Sequence, residues 1–173
     1  MEVAFGDQYT YLTGSSESLI QYYSELASKL FEKFDLRAGD TIIEIGSNDG
    51  TFLKAFRGLG LDVLGIDGAR RSSEIAIADG VPVVQQFFGN AVVPAVQERL
   101  RRGSKIKLIL AMNVLAHTVD INDFLNGVTE LMEPDTVFVS QSHWLAALTR
   151  NFEFDTIYHE HLRYYTLHSL MTL

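Results

Sequence analysis

The chain has 173 residues, of which 47% are hydrophobic and 21% charged, so its apolar content suffices for one core and is small for two domains. Its formal net charge of −8 disfavours binding to nucleic acid, because neutralising phosphates requires clustered Lys and Arg. The absence of cysteine excludes disulfides and thiolate metal sites. No stretch resembles a signal peptide or a membrane span. We therefore expect one cytoplasmic domain that binds neither nucleic acid nor membranes.

Helical and strand patterns alternate along the chain after an irregular N-terminal arm. This arm, residues 1–14, includes Asp7, Tyr9 and Tyr11 and shows no clear period. Helical spacing predicts helices over 15–35, 50–59, 70–79, 90–102 and 120–132. Apolar runs predict strands over 41–45, 61–66, 81–84, 106–112 and 136–140. Strands that alternate with helices imply right-handed βαβ units and an α/β fold with a mostly parallel sheet.

Several single residues refine these assignments. Pro82 places the third strand at an edge, because proline cannot donate to a strand ladder. Asn90 and Asp120 can cap the helices that follow them, and Pro94 is tolerable only near a first turn. A basic cluster brackets one helix end, where cations suit the helix dipole: Arg99, Arg101, Arg102, Lys105 and Lys107. The buried stripe of the last predicted helix comprises Phe124, Leu125, Val128, Leu131 and Met132.

The segment 41–56 is the most informative part of the chain. A β-branched strand stops at Gly46, small polar residues lead to Gly50, and helical spacing follows. The glycines let the backbone turn sharply and approach a ligand, and the N–H groups at the helix start can bind polar atoms. A P-loop would end in Gly-Lys-Ser/Thr, and a dinucleotide fingerprint needs a third glycine where Asn48 and Asp49 stand. The loop therefore predicts a site for a ligand without phosphates.

Acidic side chains around this loop favour a cationic ligand. Glu44 and Asp49 suit a positive charge and an amino group. Asp67 follows Gly46 by 21 residues, at the end of the second strand, where a carboxylate can accept from both ribose hydroxyls. S-adenosylmethionine, with a sulfonium, an ammonium and a ribose, matches this arrangement better than NAD. Two alternatives stay open: Asp67-Gly68 is a common turn pair, and Glu44 can be a structural hydrogen-bonding residue.

Glu-Ile-Gly-Ser-Asn-Asp-Gly at 44–50, followed by Gly-Ile-Asp at 65–67, resembles the first two motifs of class I S-adenosylmethionine-dependent methyltransferases. The Asn-Asp-Gly form is similar to the sugar C-methyltransferases that act on nucleotide-linked keto-deoxysugars. The resemblance implies their Rossmann-like fold, with a parallel sheet flanked by helices. It also implies which residues contact the cofactor. Its methionine part would lie against Gly46, Ser47, Asn48 and Gly50, its ribose against Asp67 beside Gly68, and its adenine near Phe87 or Phe88.

Two later segments carry polar side chains. The fourth strand ends before Asn113 and His117, and ligands of open α/β sheets bind beyond such strand ends, although a lone histidine is often a packed residue. Residues 154–165, which we call the histidine segment, contain two histidines, a glutamate and three tyrosines. These groups suit proton transfer near neutral pH. The alternatives are a polar surface hairpin or a metal site formed by His117, His159, Glu160 and His161.

The string Phe-Asp-Thr-Ile-Tyr-His-Glu-His-Leu at 154–162 is similar to the characteristic segment of the same sugar C-methyltransferases. The resemblance implies a substrate pocket formed by Tyr158, Glu160, His161 and His117, with Tyr9 or Tyr11 closing over the cofactor. Gln141-Ser142-His143 departs from the family, which usually has a glutamate there, and Asp67-Gly68-Ala69 replaces a Glu-Pro pair. Family members also carry a cysteine-rich zinc module, a C-terminal domain and two final strands. We expect a C-terminally truncated sheet.

These observations predict one methyltransferase domain over 1–173, with an arm and helix over 1–35, a cofactor-binding core over 41–142 and a substrate-side segment over 143–173. The expected reaction is C-methylation of a nucleotide-linked keto-deoxysugar through an enolate, with His161 as base assisted by Tyr158 and Glu160. The alternatives are an inactive cofactor-binding module, a methyltransferase of another small-molecule class, and, disfavoured by the missing glycine, an NAD-dependent oxidoreductase. The fifth strand would be an open edge, so residues 151–165 or another protomer should cover it.

Overall fold

The computed structural model describes residue 6, residues 9–100 and residues 103–173. Asp7 of the arm and Arg101 and Arg102 of the basic cluster lie outside these residues. The α-helices are α1 (Glu17–Lys33), α2 (Thr51–Gly58), α3 (Arg70–Ala78), α4 (Val93–Arg99), α5 (Ile121–Leu131), α6 (Leu145–Asn151) and α7 (Leu167–Thr172). The strands are β1 (Asp40–Ile45), β2 (Asp62–Ile66), β3 (Val83–Val84), β4 (Lys105–Met112) and β5 (Val137–Gln141).

The five strands form one parallel sheet in the order β3-β2-β1-β4-β5. The predicted α/β fold and the edge position of the third strand are therefore confirmed. That strand is shorter than predicted, because Pro82 precedes it and takes part only through its carbonyl, which accepts from the Gly65 N–H at 2.9 Å.

Both faces of the sheet are covered by helices. Neighbouring side chains of a strand point to opposite faces, so Ile42 packs in one cluster with Phe52 and Phe56, and Ile43 packs in the other with Phe124. All six residues of β1 are buried, as a central parallel strand requires. This leaves the carboxyl edge of the sheet as the place where loops can form a site.

Several predicted helix ends need correction. A 3-10 turn over Asn90–Val92 precedes α4, so Asn90 is not its cap, while Pro94 does lie in the first turn. The helix ends at Arg99 and not at 102, because Leu100 is extended. Asp120 caps α5 as predicted by accepting from two backbone N–H groups. Met132 is wrongly placed in the buried stripe, since it follows the helix in an extended conformation and is 39% exposed.

Residues 151–165 do not pair with β5. Their backbone donors at Leu162 and Arg163 reach the carbonyl of Ala116, and Tyr165 bridges to Trp144 beyond the strand. The first of the two expected ways of covering the β5 edge, by this segment, is therefore wrong, because after α6 the chain crosses the carboxyl ends of the strands. Cover by another protomer stays a prediction. Within the described ranges, every helix is too short or too polar to cross a bilayer.

Candidate functional site

The loop between β1 and α2, residues 46–50, turns through left-handed backbone conformations. Gly46, Asn48 and Gly50 have φ angles of 72°, 50° and 72°. A Cβ atom at Gly46 would lie 2.6 Å from Cγ2 of Val114, so a side chain there would collide with the neighbouring loop. This close approach brings the loop after β1 against the loop after β4, with a cavity beside them.

The cavity lies at the carboxyl edge of the sheet. Most of the residues predicted to contact a cofactor line it, together with one residue predicted to contact substrate. They are Glu44, Gly46, Ser47, Asn48, Asp67, Gly68, Phe87, Phe88, Asn113 and His117. The N-terminal arm also contributes to the wall with Tyr9, Tyr11 and Thr13.

Glu44 places a buried carboxylate in this cavity. Its side chain is 4% exposed, and its Oε2 atom has no hydrogen-bond partner among the described residues. Burial, and then the charges of Asp67 and Asp49, raise the pKa of this carboxyl well above its usual value. A buried carboxylate without a partner is costly. A cationic donor in the cavity would remove that cost.

Asp67 is held in place by its neighbours. Its Oδ2 accepts from the backbone N–H of Asn48 at 2.8 Å, and its Oδ1 accepts from the N–H of Ala69 at 2.8 Å and the hydroxyl of Ser72 at 3.4 Å. Burial raises the pKa of Asp67 and these hydrogen bonds oppose the rise. Because a carboxylate has about four acceptor positions, capacity remains for a ribose hydroxyl.

Two aromatic rings form a flat side of the cavity. A Cβ atom at Gly68 would lie 2.5 Å from the ring of Phe87, so this ring lies directly on the glycine backbone next to Asp67. Phe88 packs edge-on against Phe124, with ring centroids 5.2 Å apart. These surfaces suit a planar base such as adenine.

Asn48 and Asp49 bind the N-terminal arm. The Oδ1 of Asn48 accepts from the Thr13 N–H at 2.9 Å, and its Nδ2 donates to the Tyr11 carbonyl at 3.0 Å. The Oδ2 of Asp49 accepts from the Gly14 N–H at 2.7 Å. The sequence does not predict this contact between the arm and the loop. The signal that could have suggested it is the pair of polar residues, Asn48 and Asp49, where a dinucleotide fingerprint has a glycine.

Asp49 and Gly50, also predicted to contact the cofactor, do not line the cavity. The Oδ1 of Asp49 accepts from the N–H and hydroxyl of Thr51 at the start of α2. Gly50 packs against Ala76 and Val81, 3.1 to 3.3 Å from where a Cβ would stand. Ser47 does line the cavity, but a Cβ at Gly65 would lie 2.4 Å from its hydroxyl, so it packs against β2.

The fastened arm places tyrosines over the cavity. Tyr9 and Tyr11 have ring centroids 6.2 Å apart, and both line the cavity. Burial, followed by the charges of Tyr11 and Asp67, raises the pKa of Tyr9 to about 12, so its phenol stays protonated at neutral pH. The arm therefore contributes phenol groups to the lining of the cavity.

A hydrogen-bonded pair lies in the histidine segment. The Nδ1 of His161 is 2.7 Å from the Thr156 carbonyl, and its Nε2 is 2.8 Å from the hydroxyl of Tyr158. Because a carbonyl can only accept, Nδ1 donates, and Nε2 of the neutral ring accepts from Tyr158. His117 lies 4.9 Å from His161 between ring centroids, and its Nδ1 is 2.8 Å from the Glu160 carbonyl. His117 thus connects the cavity to the Tyr158–His161 pair.

Glu160 occupies a different position from the one expected. Its carboxylate lies 3.7 Å from Nε2 of the exposed His159, and only its backbone carbonyl enters the imidazole cluster. Direct assistance to His161 by this carboxylate is therefore not supported. The segment contains a 3-10 turn over Phe154–Thr156 and no hairpin. In the part of the chain that the structure describes, no three His, Asp or Glu side chains are arranged to hold a metal ion.

Gln141 is a site residue that the sequence does not predict; it stands only in the segment 141–143, which departs from the family. Its Oε1 accepts from Nδ2 of Asn113 at 3.3 Å, its carbonyl accepts from the Asn113 N–H at 2.8 Å, and its Nε2 donates to the Tyr22 hydroxyl at 2.9 Å. Asn113 has a φ of 57°. Gln141 thus holds a strained cavity residue and connects it to α1.

Comparison with known proteins decides the family. Residues 16–173 match the sequence model of a family described as a methyltransferase domain. The chain belongs to this methyltransferase family. The resemblance to class I S-adenosylmethionine-dependent methyltransferases is confirmed.

Two curated relatives show the range of similarity. The C-methyltransferase NovU of Streptomyces niveus is 37% identical over 172 residues, which are 99% of this chain and 40% of NovU. A ubiquinone biosynthesis O-methyltransferase of Rhodopseudomonas palustris, strain TIE-1, is 27% identical over 139 residues, covering 78% of this chain and 51% of the relative. The chain therefore spans about two fifths to one half of these proteins.

The solved structure of the plantazolicin methyltransferase BpumL in complex with SAH shares the fold. Its TM-score to this chain is 0.61 at 11% sequence identity, and the match covers 87% of this chain and 59% of BpumL. The Rossmann-like fold that the family resemblance implies is thereby confirmed.

Proposed function

We propose that the chain is the catalytic core of an S-adenosylmethionine-dependent C-methyltransferase that acts on a nucleotide-linked keto-deoxysugar. The observation that carries this proposal is the position of His117, which lines the same cavity as the unpartnered Glu44 carboxylate and contacts the ring of His161. A donor site and a proton-transfer pair are thus adjacent. The 37% identity to a C-methyltransferase supports the reaction type.

The residues present fit the cofactor. Glu44 offers an unpartnered carboxylate to the ammonium group, Asp67 keeps an acceptor position for the ribose, and Phe87 offers an aromatic face to the adenine. When bound, S-adenosylmethionine supplies an electrophilic methyl group. The acidic lining also explains why a phosphate-bearing dinucleotide is a poor fit.

The Tyr158–His161 pair removes the proton from the carbon beside the substrate ketone. Since Nε2 of His161 accepts from Tyr158, the proton reaches the imidazole through the phenol: Tyr158 takes it up as its own passes to Nε2. Burial, followed by the charges of Glu160 and Tyr164, raises the pKa of Tyr158, so the phenol is restored as the stable form. His161 ends the step as an imidazolium whose Nδ1 still donates to Thr156.

Positioning completes the reaction. Glu44, Asp67 and Phe87 would hold S-adenosylmethionine, whose sulfonium would supply the methyl group to the enolate carbon and be left as a neutral thioether. Little further activation is required, so holding the acceptor in line with the methyl group is the main task of the protein. Asn113, fixed by Gln141, and His117 border the cavity where this alignment would occur.

Turnover on a keto-deoxysugar nucleotide tests the base assignment. His161→Ala should reduce turnover by about 100-fold or more. His159→Ala is the matched control, because this side chain is exposed and lies in the same segment. Wild-type turnover by His161→Ala would refute the assignment. Calorimetry with S-adenosylmethionine tests the wider proposal, since the absence of binding to the wild-type chain would contradict it.

A cofactor-binding core that needs further protein parts for turnover is the second candidate. It is favoured by the exposure of Phe154 and Ile157, 70% and 65%, since the histidine segment is not enclosed on that side. Binding of S-adenosylmethionine without turnover on keto-sugars or on hydroxylated acceptors would identify this case. The outer edge of β5 is available to a second copy of the chain, which sedimentation would detect.

A further inference from the structure

His143 stands directly after β5 and contacts the proposed base. Its ring lies 4.5 Å from that of His161 between centroids, at an interplanar angle of 35°. His117, from the loop after β4, lies 4.9 Å from the same ring. His161 is therefore the imidazole that contacts both others. The proposed function assigns His143 no role.

The surroundings of His143 hold its ring in one place. Tyr164 packs edge-on against it, with centroids 4.9 Å apart, and a backbone hydrogen bond to Arg163 fixes one nitrogen. The Nε2 atom is buried and has no hydrogen-bond partner among the described residues. A proton on Nε2 would create a buried N–H without an acceptor, so the neutral ring is the favoured form.

The neighbouring charges agree with a neutral His143. Burial lowers its pKa first, and the charge of His161 lowers it further. Burial also lowers the pKa of His117, with a smaller contribution from His161. The rings that face His161 are those of His117 and His143 from the strand-end loops and those of Tyr158 and Tyr164 from its own segment.

The orientation of His161 needs more than its two hydrogen bonds. Tyr158 is 43% exposed and the surrounding segment is irregular, so water competes for both bonds. An aromatic contact is comparable in size to one such hydrogen bond. The ring of His143 supplies a contact that water cannot replace.

We propose that His143 is a positioning residue for His161: its ring packs against the imidazole and holds it where Nδ1 donates to Thr156 and Nε2 accepts from Tyr158. This inference rests on the proposed function for its effect on turnover. The effect of His143 on the orientation of the His161 ring is independent of it and can be measured on the chain without cofactor or substrate.

Nitrogen NMR of the histidine rings in the full chain tests the structural part. In the wild type, His161 should show the shifts of a single tautomer protonated on Nδ1. His143→Ala should move both ring shifts of His161 toward those of mixed tautomers. His143→Phe, which retains an aromatic face, should keep the wild-type pattern. His168→Ala in α7 is the control and should change nothing at His161.

Unchanged His161 shifts in His143→Ala would overturn the proposal. Should the alanine variant fail to fold, His143→Leu provides the comparison with His143→Phe, because it fills similar space without a ring. Identical His161 shifts in the leucine and phenylalanine variants would also overturn it. Circular dichroism establishes that each variant is folded.

Turnover separates this inference from the proposed function. On a keto-deoxysugar nucleotide, His143→Ala should lower kcat about 10-fold and leave S-adenosylmethionine affinity unchanged. His143→Phe should recover most of that loss. A wild type without turnover but with the expected tautomer shifts would refute the proposed function alone, and a wild type with turnover but without those shifts would refute the role of His143 alone.

Discussion

Glu44, Ser47 and Asn48, in the half of the site that faces the proposed cofactor, are at most 8% exposed, whereas Tyr158 in the histidine segment is 43% exposed. The first half is formed by strand ends and by left-handed backbone turns that follow directly from the sheet. The second half is an irregular segment attached to the loop after β4 by hydrogen bonds to the Ala116 carbonyl, the His117 ring and the carbonyls of Thr118 and Val119. The cofactor half is therefore held rigidly by the core. The histidine segment can change its conformation without unfolding the sheet.

The largest expected effect is a loss of turnover from a substitution in the histidine segment that leaves cofactor binding intact. Tyr158→Phe removes the hydroxyl that bonds His161, so kcat on the keto-sugar acceptor should fall about 100-fold while calorimetric affinity for S-adenosylmethionine stays unchanged. Tyr164→Phe is the matched control, because it removes only a hydroxyl donated to Thr156 and should cost little. Equal losses in both variants would show that the segment acts only as packing.

The converse substitution acts on the cofactor half. Glu44→Gln removes the buried charge that faces the cavity, so S-adenosylmethionine affinity should fall roughly 10- to 100-fold, the range for a hydrogen bond to a charged group. The value of kcat at saturating cofactor should change little. Glu98→Gln, on the exposed face of α4, is the control for calorimetry. An unchanged affinity would exclude Glu44 as a ligand of the ammonium group.

The contribution of Glu44 to the stability of the cofactor-free chain should fall as pH rises. The pKa of Glu44 is raised in the folded state, so above the unfolded value of about 4.3 the unfolded chain releases a proton that the folded chain keeps. The free energy of unfolding should therefore decrease by up to about 1.4 kcal/mol per pH unit until the folded-state pKa is reached. Urea unfolding across this interval measures the slope. Glu44→Gln should remove this contribution and leave that of Asp67, whose pKa is also raised, with the opposing contributions of Asp79, His117 and His143, whose pKa values are lowered.

The smallest expected effect concerns the arm. Asn48→Gly removes two hydrogen bonds to Tyr11 and Thr13 but keeps the left-handed backbone, so the cost should be about 1 to 2 kcal/mol of local stability. Hydrogen exchange of the Thr13 amide should accelerate, and cofactor affinity should drop a few-fold. Asn48→Ala should cost more, because alanine is strained at positive φ. No change in exchange at Thr13 would show that the arm is held by other contacts.

The contrast between the halves also explains what could be predicted from the sequence. The spacing of apolar residues suffices to predict the strands and helices, because each of them buries a face formed by its own residues. Helix ends were less predictable: Met132 has the right spacing and is excluded only by an extended backbone at the helix end. The cavity residues around Gly46 and Asp67 followed from where parallel strands end.

Long-range side-chain contacts were not predictable in the same way. Asn48 and Asp49 were interpreted as ligand contacts, and their bonds to residues 35 positions away depend on where the arm runs. His143 and His161 meet only because the chain returns across the strand ends after α6, which no local pattern encodes. Resemblance placed Tyr158 and His161 in one pocket but did not reveal the order of their hydrogen bonds.

The fastening of the arm has a kinetic consequence. Tyr11 and Thr13 wall the cavity and are tied to the loop on which the cofactor would rest, so exchange of spent for fresh cofactor competes with the bonds that Asn48 makes. We expect these bonds to slow the departure of S-adenosylhomocysteine. Stopped-flow displacement should then show faster release from Asn48→Gly than from the wild type. Asn48, which stands where a dinucleotide fingerprint has a glycine, would thus slow product release.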